Sequence, residues 1–281
     1  MMKKKNLICL GLIVLCLLLL WGYRQLDRLR TDVTPPVISF PEETQVFSVK
    51  DGRELLLQGV TATDDTDGDV TGSLLVEKIT LLDRDGLASV SYAAFDAAGN
   101  VTKATREIQY SDYRSPRFQL SAPLLFAQSY IYNTLDIVTA TDVIDGDLQH
   151  KVRATSLSDS ASSEVGVHDV EFKVTNSLGD TVKLILPVEV YAAGSYNGQL
   201  RLTDYLIYLE PGEKFRAEDY LDCFVTSYTT VSLRGGVPSS YTLDVSGQVD
   251  PSTPGIYCIN YTIRNNSTHS GYTRLIVVVE G

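Results

Sequence analysis

The sequence predicts an all-β chain, three tandem β-sandwiches of about 80 to 90 residues each behind an N-terminal transmembrane helix. Three observations predict it. A nine-residue phrase occurs nearly twice, TATDDTDGD at 61–69 and TATDVIDGD at 139–147, with an offset of 78 residues. Gly86, Gly166 and Gly255 are each followed six residues later by an aromatic (Tyr92, Phe172, Tyr261), and four residues beyond that by Asp96, Asn176 and Asn265. The offsets of 80 and 89 residues are too long for a helical-hairpin solenoid and suit a small independent β-domain. Finally, beyond the N-terminus the text is short runs of Val, Ile, Tyr, Phe and Thr broken by Gly, Asp, Asn and Pro, with no helical period.

The N-terminal element comes first. The chain opens with MMKKK and runs apolar over residues 7–22, where Trp21 and Tyr23 mark an interfacial belt. The run is slightly short, but its flanking aromatics and charges extend it to membrane length. A cleaved signal peptide would end in small residues, whereas this run ends in LLLLWGYRQ. A lipoprotein cysteine would follow a small residue, whereas Cys9 follows Ile8 and Cys16 follows Leu15. Residues 1–31 therefore read as a cytoplasmic tip and an uncleaved signal-anchor, with the cell membrane as partner through residues 7–22. Three Lys before the run and Arg24, Arg28 and Arg30 after it nearly balance the positive-inside rule. The exported character of the β-rich remainder places the C-terminal domains outside the membrane. No LPxTG-like wall-sorting tail occurs in a chain ending VVVEG, so the helix is the expected anchor.

Charge narrows the partners. The first thirty residues carry +5 of a net charge of −11, which leaves −16 on the remainder. So acidic a surface repels phosphates and argues against nucleic acid, while divalent cations or basic partners fit it.

After the anchor, TDVTPP at 31–36 is a short stiff linker. Strand-like runs occur at VISF (37–40), VSYAAF (90–95), VEFKV (170–174), LILPVEV (184–190), CINYTI (258–263) and LIVVV (275–279). Boundaries near SDYRSP and AAGSYNG divide the array into residues 32–112, 113–192 and 193–281, sitting end to end with limited freedom.

PPVISF, then VTATDDTDGDVT, then a Gly-aromatic strand into DAAGN resembles the bacterial immunoglobulin-like domains of Gram-positive surface proteins, also found in tails of insecticidal crystal toxins. The first unit matches along its length. The second keeps VTATDVIDGD and has NSLGD (176–180) for DAAGN. The third has AEDYLDCFVT (217–226) for the acidic phrase and keeps VSGQVDPSTPGIYCINYTIRNNS (245–267). The resemblance implies immunoglobulin-like sandwiches serving as spacers, adhesive modules or accessory binding modules.

The acidic phrases are the most chemical-looking feature. Asp64, Asp65, Asp67 and Asp69 in the first unit, and Asp142, Asp145 and Asp147 in the second, offer oxygen ligands to a hard cation. The EF-hand register fails, because placing Gly68 at the sixth loop position puts Thr63 at the first and Leu74 at the twelfth. The alternative is a turn on Asp-Gly whose carboxylates bond to nearby amides. The turn is favoured. No cofactor is expected beyond weak calcium at the first or second unit, with little effect on melting. Asp96 and Asn100 read as a hairpin turn, of interest only if folding brings them to the pole of the acidic phrase.

Cys223 and Cys258 are the two cysteines outside the anchor, and in an extracytoplasmic domain they are expected to form a disulfide. Because Ile259, Tyr261 and Ile263 should face the core, Cys258 should point outward and the bridge would be a surface staple. Nine of the sixteen Tyr lie between 193 and 281, either as half-buried strand formers or as an exposed recognition cluster. Catalysis has no support: His150, His168 and His269 are scattered, and no nucleophile or phosphate-binding motif occurs. The expected role is a non-enzymatic binding or adhesion module at the cell surface. A structural stalk, an assembly partner for envelope machinery or an accessory carbohydrate-binding protein is the alternative.

Overall fold

Strands that bury every second side chain need a second sheet to bury them against, and each repeat supplies both. The computed structural model describes residues 12–24, 32–128, 130, 133–157, 164–265 and 269–281. In the first repeat Val37–Ser39, Thr61–Asp64 and Gly68–Asp69 make a three-stranded sheet. Val46–Phe47, Val101–Tyr110, Leu87–Phe95 and Leu75–Leu81, in that spatial order, make a four-stranded one. The second repeat copies this plan. Arg117–Leu120, Val138–Asp142 and Gly146–Asp147 form its small sheet, and Leu125–Ala127, Thr181–Tyr191, Gly166–Thr175 and Arg153–Ser156 its large one. The third does so with Gln199–Leu202, Leu221–Val225 and Thr230–Ser232, against Leu206–Leu209, Ser270–Val279, Gly255–Asn265 and Tyr241–Ser246.

Each repeat opens by dividing its entry between the two sheets. Its first strand pairs antiparallel in the small sheet, and the next crosses over to pair parallel with the last strand of the large one. That split entry is an immunoglobulin-like arrangement and tethers each sandwich at its open edge. The repeated aromatic is the centre of each core: Tyr92, Phe172 and Tyr261 are all fully buried. Tyr92 also satisfies its polar end, donating to Leu56 O at 2.8 Å and accepting from Arg106 Nε at 2.8 Å. The Arg106 guanidinium lies over the rings of Phe40, Phe47 and Tyr92, a cation at the rim of the core held by aromatic faces.

The chain forms two compact units, Met1–Asp112 and Tyr113–Gly281. The second and third sandwiches thus lie in one unit and share apolar packing. Leu206 and Ile276 of the third sandwich join the core cluster of Phe118, Phe172 and Leu186 in the second, with Tyr205, Tyr208, Cys258 and Val278 packed around them. This explains LIVVV at 275–279. Leu275, Val277 and Val279 face the third core while Ile276 and Val278 face the second, so the strand is apolar on both sides. By contrast, Val101–Tyr110 in the first sandwich alternates between more and less exposed positions.

One expectation falls only partly within the described residues, and one changes. The described N-terminal helix covers residues 12–24, about 20 Å of rise, and among the described residues no helix is long and apolar enough to cross a membrane. Residues 7–11 of the expected span lie outside the described residues. The disulfide between Cys223 and Cys258 is corrected: both thiols are free. Cys223 alternates with the core residue Phe224 and so faces away from the core on the small sheet, where its thiol meets Asp222. Cys258 faces away from the third core on the large sheet, but onto the second core and not into solvent. Outer faces of two packed sheets are too far apart for a bridge.

Candidate metal centre

The acidic phrase folds as a hairpin whose geometry its own residues set. Thr61–Asp64 runs into a turn and returns as Gly68–Asp69, pairing Thr63 with Asp69 and Asp64 with Gly68. Asp64 Oδ1 accepts from Thr66 N at 2.8 Å and Asp67 N at 3.0 Å, and Gly68 takes φ +75°, which a side chain would resist. Asp69 Oδ1 caps the next turn by accepting from Thr71 N at 2.9 Å. DAAGN is a second hairpin turn, in which Asp96 Oδ1 accepts from Asn100 N at 2.8 Å and Asp96 Oδ2 from Asn100 Nδ2 at 2.7 Å. The turn reading therefore describes the local backbone well.

Folding adds what local chemistry does not. Asp67 Oδ2 accepts from Ala97 N at 2.8 Å and so ties the two turns together at one pole. Asn100 Nδ2 reaches Asp32 O at 3.2 Å and Thr34 O at 3.3 Å and draws the linker onto the same pole. Ligand oxygens of Asp32, Asp64, Asp67 and Asp96 then lie within 4.8 Å of one another. Asp64 is 8 % exposed and Asp96 5 %. Asp32 Oδ2 and Asp64 Oδ2 are buried with no hydrogen-bond partner. Carboxylates this close repel one another, and the lower the local dielectric the more they do so. Asp96 nevertheless sits below the usual carboxylate range. Burial pushes it up, and the side-chain and backbone hydrogen bonds of Asn100, Gly99 and Ala98 outweigh that.

The second sandwich repeats the scaffold with different chemistry. Asp142 Oδ1 accepts from Ile144 N at 3.1 Å and Asp145 N at 2.6 Å, and Asp145 Oδ2 accepts from Ser177 N at 2.8 Å, matching the bonds of Asp64 and Asp67. In place of Asp96 stands Asn176, whose Nδ2 donates to Asp142 Oδ2 at 2.9 Å. In place of Ser73 stands Lys151, whose Nζ donates to Asp145 Oδ2 at 2.8 Å. Asp180 accepts from the Tyr113 hydroxyl at 2.7 Å. The second site thus carries its own cation and amide, and its carboxylates are satisfied from within the protein.

Of the seven aspartates named from sequence, Asp64 and Asp67 join the cluster. Asp65 is exposed on the outside of the turn, and Asp69 is an exposed turn cap. Asp142 and Asp145 are engaged as described, and Asp147 accepts from Gln149 N at 2.9 Å. Nothing local marks Asp32, an aspartate in a linker, as a candidate. Asp96 is visible in the sequence only through its conditional link to the acidic pole. Among the described residues this is the one group of acidic, His or Cys side chains close enough to share an ion.

No family model matches the chain. An uncharacterised 81.3 kDa protein of Acholeplasma phage L2 is 28 % identical over 213 residues, 74 % of this chain and 26 % of that protein. The chain thus spans about a quarter of that relative's length. Among solved structures, the Protocadherin GammaB4 extracellular domain aligns over 88 % of this chain and 49 % of its own, at 13 % identity and a TM-score of 0.20. The CBM51-2 and INT domains of Clostridium perfringens ZmpB, described in complex with GlcNAc, align over 88 % and 42 %, at 14 % identity and a TM-score of 0.23. Mouse Cadherin-23 EC22-24 aligns over 86 % and 98 %, at 12 % identity and a TM-score of 0.21. Scores this low do not transfer a site or a ligand.

Proposed function

We propose that the chain is a membrane-anchored, extracytoplasmic, non-enzymatic array that works as a stalk, holding its distal end or an assembly partner away from the membrane. One observation carries this reading: the tyrosines of the third sandwich are used internally. Tyr205 and Tyr208 pack on the second core, Tyr272 donates to Glu189 Oε2 at 3.0 Å, and Tyr261 is fully buried. Tyr220 stacks on Phe215 and Tyr241 packs edge-on against Phe224. Of the nine, Tyr228 is the fully exposed one, at 87 %. A sugar- or protein-binding platform would leave several aromatic faces open.

Binding or adhesion is the second reading, favoured by Tyr228 alone. A glycan and surface-protein screen with residues 32–281 separates the two. The stalk reading expects no saturable ligand, and a ligand competed away by Tyr228→Ala would overturn it. The topology has its own test. Protease added to intact cells should remove an epitope placed after Gly281, and a protected epitope would refute the extracytoplasmic placement.

A further inference from the structure

We propose that the pole of the first sandwich binds a calcium ion through Asp32, Asp64, Asp67 and Asp96, and that the ion clamps the N-terminal linker to the sandwich. The site stands whether or not the chain is a stalk. Two independent observations carry it. Four carboxylates converge to within 4.8 Å, close to the oxygen-to-oxygen span across a calcium ion with ligands at about 2.3–2.6 Å. Asp64, only 8 % exposed, keeps a buried Oδ2 with no partner, and Asp32 Oδ2 does the same. Buried acceptors are normally satisfied, so orphaned ones at a convergence point call for a missing positive charge.

The second sandwich acts as an internal control. On the same backbone scaffold, Asn176 and Lys151 supply the amide and ammonium that Asp96 and Ser73 do not. The chain therefore meets one electrostatic problem twice: in the second sandwich its own ammonium and amide answer it, and in the first two carboxylate oxygens, Asp32 Oδ2 and Asp64 Oδ2, are left for an ion. An all-oxygen, four-carboxylate set selects a hard cation, and waters would complete the six to eight ligands calcium takes. Because Asp32 precedes the first strand while Asp64, Asp67 and Asp96 belong to the sandwich, a shared ion cross-links linker and domain.

The test uses the full chain, freed of divalent ions and titrated with calcium chloride at fixed ionic strength. Calorimetry should show one saturable site. The melting transition of the first sandwich should rise on the order of 5 °C or more at a hundredfold excess over Kd. Asp64→Asn and Asp96→Asn should abolish both effects, while the double change Asp65→Asn with Asp69→Asn should leave them intact. Asp96→Asn sets an amide against the Asn100 amide that now donates to Asp96 Oδ2, so each variant's melting point in chelator is compared with the parent's, and Asp67→Asn, at an exposed ligand, should lose binding with its chelator melting point unchanged. Amide exchange at Val33 and Thr34 should slow with calcium in the unaltered chain and not in Asp32→Asn. A response absent in the unaltered chain, or equal in Asp64→Asn and Asp96→Asn, would overturn the site. Binding without slowed exchange at the linker would overturn the clamp.

Discussion

Asp145 and Lys151 show how a single pair replaces a bound ion. Burial pushes the Asp145 carboxyl up, but hydrogen bonds from Lys151 Nζ and from the Ser177 hydroxyl and amide more than offset it, so the carboxyl titrates below its usual range. With the folded pKa below the unfolded one, its stabilisation is present above about pH 4 and is lost as the pH falls through the folded pKa. Water reaches the pair and screens it, so Asp145→Asn should cost only about 1 kcal/mol at pH 7. Urea midpoints of the variant and the parent, measured from pH 2 to 7, should converge in acid, and a gap independent of pH would refute the account. The cysteines give a second expectation of this kind. Both should alkylate without reductant, Cys258 more slowly than Cys223, because burial against the second core shields it. An unreduced mass two protons light would show a bridge instead.

Among the elements, the strands and turns are set by chemistry that can be read along the chain. The hairpin turns need a residue at positive φ, and how much a side chain there costs depends on the space around it. Gly179 has φ +90° with nothing within 4 Å of an added Cβ, whereas at Gly247 (φ +103°) a Cβ would lie 2.3 Å from Cys258 O. Gly179→Ala should cost about 1–2 kcal/mol, the backbone penalty alone. Gly247→Ala adds a collision with strand backbone and should cost about 3 kcal/mol or more. Both lie in the same compact unit, so a direct comparison of denaturant midpoints decides it. Equal losses would mean that the strand yields.

In the molecule taken whole, Tyr113–Gly281 forms one body because Leu206–Leu209 and Ser270–Val279 present apolar residues on both faces. The joint is more than apolar. Arg274, 10 % exposed, pairs with Glu189; the Tyr208 hydroxyl accepts from Phe118 N at 2.9 Å, and Arg117 lies over the Tyr208 ring. Burial pushes the Tyr272 and Tyr208 hydroxyls up to about 12, so Tyr272 keeps the proton it donates to Glu189 into mild alkali. The second and third sandwiches should melt in a single transition. Ile276→Ala should cost about 2–4 kcal/mol and begin to separate them. Two resolved transitions within Tyr113–Gly281, besides the one that belongs to the first sandwich, would refute the shared core.

Local chemistry written along the chain was enough for the all-β class, the repeat and its core aromatic, and the turns at Gly68 and Gly146. Strand alternation and positive φ are local demands, satisfied within a few residues of where they are written. The continuous run LIVVV also carried the sign of a doubly buried strand, although not of what covers it. Which aspartates meet was settled only on folding, since Asp32, Asp64 and Asp96 are joined when two sheets close and bring a linker and two turns to one pole. Folding likewise kept Cys223 and Cys258 apart on opposite outer faces and turned eight of nine tyrosines to packing. Distances between residues tens of positions apart are set by sheet pairing and core closure, and no local pattern encodes them.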